Sequence, residues 1–86
     1  MYYVYVLLNE KGELYIGYSS DLKKRLKTHN EGKVTSTKGH QWELIYYEAY
    51  KAKEDATMRE WQLKKAGQAK RWLKERLAHS IGLNDK

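Results

Sequence analysis

Eighty-six residues make one small domain, with no room for a second core. Lysine and arginine number 17 against 11 acidic residues, a formal charge of +6 that favours a polyanionic partner, and nucleic acid is the commonest one inside cells. The 41% hydrophobic share supports a compact fold, and the lack of cysteine excludes disulfides, thiolate metal sites, iron–sulfur clusters and cysteine nucleophiles. No apolar run approaches the ~18 residues of a membrane span and no signal-peptide pattern opens the chain, so a soluble cytoplasmic protein is expected.

Tyr2 to Leu8 is an unbroken run of aromatic, β-branched and aliphatic residues and reads as a strand. Asn9-Glu10-Lys11-Gly12 has the polarity and the glycine of a hairpin turn, and Glu13 to Gly17 reads as the returning strand. Ser19 or Ser20 is suited to cap a helix from about Asp21 to Glu31, with Leu22 and Leu26 on its inner face and Gly32 at its stop. Gly32 to Gln41 is polar, basic and glycine-punctuated, hence a loop, and Trp42 to Tyr50 is a third strand. A helix from about Lys53 to Ala66 breaks near Gly67, and Gln68 to Ala78 forms a last one. The order ββαβαα defines an α+β domain over residues 1–83, with 84–86 a frayed tail.

Eight tyrosines, three tryptophans and no phenylalanine place polar-tipped rings where a core meets water. Strand alternation puts Tyr3, Tyr5 and Leu7 on one face and Val4, Val6 and Leu8 on the other. If the turn pairs even residues with even ones, Tyr5 and Tyr15 become near neighbours, with no bulk at Gly17 to cover them. Arg25 and His29 lie four apart, on one side of the first helix. Arg25 either forks onto a phosphate or belongs to a solvated basic face with Lys23, Lys24 and Lys27. Glu60 falls about 40° around the helix from Ala56, beside the apolar stripe that Ala56 and Leu63 mark. A carboxylate there calls for a cationic partner: Arg25, a lysine or a metal ion. Lys64, Lys65, Lys70 and Arg71 add a basic surface near the C-terminus suited to phosphates. No zinc finger, helix-turn-helix, RNP motif or glycine-rich phosphate loop accompanies it.

These pieces together resemble the GIY-YIG nuclease domain, and most of all its small stand-alone bacterial members. Val4-Tyr5 stands in the first motif and Tyr15-Ile16-Gly17 is the second motif intact. Asp21-Leu22-Lys23-Lys24-Arg25-Leu26 follows with the family's arginine, then His29-Asn30, the third-strand segment Trp42 to Glu48, and Arg59-Glu60-Trp61-Gln62-Leu63-Lys64. The resemblance implies a three-stranded antiparallel sheet flanked by helices. It also implies hydrolysis of phosphodiester bonds of DNA by water, with one divalent cation, Mg²⁺ or Mn²⁺, on Glu60. On that reading Tyr5, Tyr15, Arg25, His29 and Glu60 form the catalytic set, with either tyrosine as the base. Three departures stand out: Tyr3 replaces the first-motif glycine, Tyr18 stands where excision-repair relatives carry lysine, and the separate DNA-recognition domain of homing and repair relatives is missing. The last leaves open a protein partner that supplies specificity, or a non-catalytic nucleic-acid-binding module on the same fold.

Overall fold

The computed structural model describes residues 1–65 and 67–81. Strand β1 (Tyr2–Asn9) turns into β2 (Leu14–Ser19) through a loop fixed by Asn9. The Asn9 side-chain oxygen accepts the N–H groups of Lys11 and Glu13, each at 2.9 Å, and its amide nitrogen donates to Glu13 Oε1 at 2.9 Å. Gly12 takes φ +81°, a left-handed conformation that most side chains avoid. Strand β3 (Trp42–Tyr50) pairs antiparallel with the other side of β1, giving the order β2-β1-β3 with a register irregularity between Val6 and Leu7. Tyr5 pairs with Gly17 and Leu7 with Tyr15, the even-with-even register the sequence suggests.

Because β1 is apolar on both faces, each needs a cover. The even face (Val4 and Val6, with Leu14 and Ile16 of β2) packs against Ala56 and Leu63 of α2 (Lys53–Lys64) and Leu73 of α3 (Gly67–Arg76). On the odd face Tyr5, Leu7 and Trp42 are covered by Leu22 and Leu26 of α1 (Leu22–Asn30). A short α4 (Ala78–Ile81) follows. The expected tail, 84–86, and the domain limit at 83 lie outside the described residues. Among the described residues no helix is long and apolar enough to cross a membrane.

The start of α1 corrects the expected cap. Asp21 is the N-cap, its carboxylate accepting Lys24 N–H at 3.1 Å. Ser19 instead closes a local turn, accepting Asp21 N–H at 3.0 Å. Aspartate outcompetes the serines because a charged acceptor three residues ahead of a free N–H also meets the helix dipole. The helix ends where expected: Gly32, at φ +76°, donates to His29 O at 3.1 Å and Lys33 to Thr28 O at 3.2 Å, a Schellman closure. The loop that follows carries one 3₁₀ turn, Thr35–Thr37.

Helix α2 is tied to β3 by one carboxylate. Glu48 accepts from Tyr46 and Tyr50 hydroxyls, each at 2.6 Å, and from Arg59 Nε and Nη2 at 2.8 and 3.0 Å. Burial alone would raise the Glu48 carboxyl, but the hydrogen bonds from Arg59, Tyr46 and Tyr50 outweigh it and hold its pKa at about 2. Its folded pKa lies below its unfolded one, so its contribution is complete above about pH 4.5 and fades as pH falls toward 2. Glu48→Gln, which replaces an anion with an amide that accepts at only one end, should cost about 2 kcal/mol at pH 7. In denaturant titrations the gap from wild type should close as pH drops from 4.5 toward 2. A gap that stayed constant would show that the carboxylate's charge is not what holds α2.

Candidate active site

The site grows from the odd face of the hairpin. Tyr5 is 1% exposed, and its ring lies across Gly17 on the neighbouring strand. A Cβ placed on Gly17 would overlap the Tyr5 hydroxyl and Cζ, so only glycine allows this approach. Gly17→Ala should therefore push the phenol off its partners and slow any chemistry that uses it by about 100-fold, the usual cost of a ~1 Å misplacement. Rates of plasmid cutting, with circular dichroism to confirm the fold, would test this; an alanine variant of wild-type rate would mean that the Tyr5 position is immaterial.

One turn apart on α1, Arg25 and His29 both reach that phenol. Arg25 Nε lies 3.3 Å from Tyr5 Oη, and His29 Nε2 lies 2.8 Å from it. His29 is wholly buried, and its Nδ1 lies 2.8 Å from Thr37 Oγ1, which in turn reaches Val34 O at 3.4 Å. One assignment of protons uses every one of these bonds. Arg25 donates to Tyr5, Tyr5 to His29 Nε2, His29 Nδ1–H to Thr37, and Thr37 to the Val34 carbonyl. It requires a neutral imidazole, and burial together with the Arg25 charge lowers the His29 pKa from its usual value. Burial raises the Tyr5 phenol, opposed by the Arg25 hydrogen bond. The Tyr5 hydrogen bond in turn raises Arg25 further. Apart from the Nε bond, the Arg25 guanidinium makes no hydrogen bond among the described residues, which leaves its fork open. It lines a cleft of about 380 Å³ with Ser19, Ser20, Asp21, Lys24 and Thr28.

Tyr15 is half-buried beside this chain, its ring centroid 4.9 Å from His29, 6.4 Å from Tyr5 and 6.1 Å from Trp42. Its hydroxyl makes no hydrogen bond among the described residues. Glu60 comes from α2, which packs on the other face of the sheet, and β2 is the edge strand. Lys64 Nζ marks the path, 3.2 Å from Glu60 Oε2 and 5.4 Å from the Tyr15 centroid. The Glu60 charge is near enough to raise both Tyr5 and Arg25. Tyr5, Tyr15, Arg25 and His29 thus lie together, and Glu60 is linked to them through Lys64, its lysine partner.

No group of three or more histidine or acidic side chains that could hold a metal ion occurs among the described residues, and the ligand that the family resemblance implies is the single carboxylate of Glu60. That donor set fits Mg²⁺ or Mn²⁺, hard cations that retain waters and share phosphate oxygens. Glu60 Oε1 carries no hydrogen bond among the described residues, and Oε2 is held by Lys64. Of the basic residues selected from the sequence, Lys23, Lys24, Lys27, Lys64, Lys65 and Arg71 are exposed. Lys27 pairs with Glu31 at 4.0 Å and Lys65 sits 4.7 Å from the Trp61 ring centroid. The Lys70 side chain lies outside those described.

Thr37 is the member of the constellation that the sequence does not mark. A threonine in a polar loop has no periodicity to select it, and only closure of that loop brings it to a histidine eight residues earlier.

The model of the GIY-YIG catalytic domain matches residues 1–74. A UPF0213 protein of Bacillus pumilus is 43% identical over 65 residues, 73% of this chain and 66% of that protein. One from Streptococcus pyogenes serotype M5 is 45% identical, over 73% of this chain and 71% of its own. The solution NMR structure of the UPF0213 protein BH0048 from Bacillus halodurans superposes with a TM-score of 0.54 at 34% identity, covering 92% of this chain and 84% of that one. With the motif residues, the sheet order and these matches in agreement, the chain belongs to the GIY-YIG catalytic domain family.

Proposed function

We propose that this chain hydrolyses phosphodiester bonds of DNA, with Tyr5 as the group that takes the proton from the attacking water. The observation that carries the reading is the Tyr5 hydroxyl, hydrogen-bonded to Arg25 Nε and 2.8 Å from His29 Nε2. Free tyrosine, with a pKa of about 10, is a poor base at neutral pH. Here its proton has an acceptor already in line. As the Tyr5 oxygen receives a proton from water, its own passes to His29 Nε2, and Thr37 holds the other ring nitrogen so that Nε2 stays free. The water oxygen attacks phosphorus, the ester bond to the leaving oxygen breaks, and solvent protonates that oxygen.

Arg25 binds the phosphate with its open fork and offsets the charge that builds up in the transition state. Its 3.3 Å bond to Tyr5 is long, so it exchanges readily when a phosphate arrives and lets water reach the phenol. A Mg²⁺ or Mn²⁺ ion held by Glu60 would polarise the phosphate and stabilise the leaving oxygen. Lys64 balances the Glu60 charge in the free protein, and Lys23, Lys24, Lys27, Lys65, Lys70 and Arg71 hold flanking phosphates. The proposed setting is the cytoplasm, with a protein partner supplying sequence or structure specificity.

Supercoiled plasmid at low salt tests the reading. Nicking is expected with Mg²⁺ or Mn²⁺ and not with EDTA, and should weaken steeply as salt rises because phosphate contacts release counterions. Tight, salt-sensitive binding without any nicking, on branched as well as plain DNA, would instead identify a binding module that retains the fold.

A further inference from the structure

A second cleft, of about 420 Å³, lies beside the start of β2, the edge strand, and shares Tyr15 with the site above. Its walls include Glu13, Tyr15, Ser36, His40, Trp42 and Lys74. The volume falls in the ~300–1,000 Å³ range of small-ligand sites. At the hairpin end it is open, since nothing lies within 4 Å of a Cβ built on Gly12.

We propose that this cleft binds one unpaired nucleotide of the substrate next to the scissile phosphate, so that the enzyme acts on DNA with an unpaired or displaced base at the cut. This deepens the nuclease reading and rests on it. On the aromatic side Tyr15 and Trp42, edge-on to each other with centroids 6.1 Å apart, offer ring surface against which a base can pack. The polar side can only be used by a base whose pairing edge is free. Glu13 keeps one carboxylate oxygen on Asn9 and leaves the other to accept from an exocyclic amino group, as carboxylates do from cytosine. Ser36 adds a hydroxyl, and His40 is held in place by Glu10, whose carboxylate lies 2.6 Å from its Nδ1. Lys74, which forms no ion pair among the described residues, lines the cleft and is suited to the attached phosphate. Glu13 keeps that phosphate at the lysine end. A continuous duplex has both base edges occupied and cannot fill such a cleft.

Titration of ¹⁵N-labelled protein with deoxycytidine 5′-monophosphate tests the site directly. Saturable shifts are expected at the Gly12 amide and the Trp42 indole N–H, weakened about fivefold or more in Lys74→Glu and lost in Ser36→Trp, which fills the cleft from an exposed position. Cutting should favour single-stranded or flapped DNA over continuous duplex, and Ser36→Trp should reduce that preference. Shifts confined to α1, or equal rates on flap and duplex by a protein that does cut, would overturn the cleft and leave the nuclease reading standing. Cleft shifts in a protein that cuts no DNA would overturn the nuclease reading and retain the nucleotide site.

Discussion

Tyr5→Phe should cut plasmid about 1,000-fold more slowly than wild type, while Tyr15→Phe loses about tenfold or less. The two substitutions remove the same atom from neighbouring rings, so the contrast isolates position. Phenylalanine at residue 5 keeps the ring across Gly17 and deletes only the hydroxyl to which Arg25 and His29 are directed. At residue 15 the lost hydroxyl makes no hydrogen bond among the described residues, and ring contacts with His29 and Trp42 remain. The cost in stability of Tyr5→Phe, about 1–2 kcal/mol for stranding two polar partners, leaves the protein folded at room temperature. The rate loss is then chemical.

The proposed relay sets the sign of the expected pH dependence. His29 accepts the Tyr5 proton only as neutral imidazole, and its pKa is lowered from 6.5 by burial first and by Arg25 second. Wild-type cutting should hold steady from pH 8 down through 6.5 and fall only below that, in step with the His29 ring signals in an NMR titration. If Tyr15→Phe proved the more damaging variant, or if the rate fell well above pH 6.5, the proton would be leaving by another route.

Local chemistry explains which parts of this molecule were legible in its sequence. The hairpin itself could be read from its short polar turn, but β1 is apolar on both faces, so the even-with-even register that puts Tyr5 and Tyr15 on one face stood only as a condition until the structure met it. Helical spacing likewise put Arg25 and His29 together. The α1 cap is ambiguous in the sequence because three adjacent residues, Ser19, Ser20 and Asp21, are all of types that cap helices, and the structure selects Asp21. Contacts made by loop closure left no periodic trace. Thr37 meets His29 across eight residues of loop, and Arg59 meets Glu48 across eleven positions and a change of element. That Lys64 of α2 lies near both Glu60 and the Tyr15 ring of β2 required the sheet order, with β2 outermost.

Glu60→Ala should lower metal-dependent cutting by about 1,000-fold or more while binding DNA at least as tightly as wild type. The rate loss follows from removing the proposed protein ligand for a cation that supplies several kcal/mol of charge stabilisation. The binding gain follows from deleting a negative charge in a chain of formal charge +6. Stability barely enters, because an i,i+4 pair with a half-exposed lysine is worth about 0.3–0.5 kcal/mol. Lys64→Ala provides the control. It breaks the same ion pair but keeps the carboxylate, so it should retain metal-dependent cutting and reach half-saturation at a lower Mg²⁺ concentration, its competing ammonium gone. If both alanine variants cut like wild type, Glu60 would be a partner for Lys64 and nothing more, and the metal would have to be held elsewhere. If Glu60→Ala alone fails, the carboxylate acts on the reaction rather than on the helix.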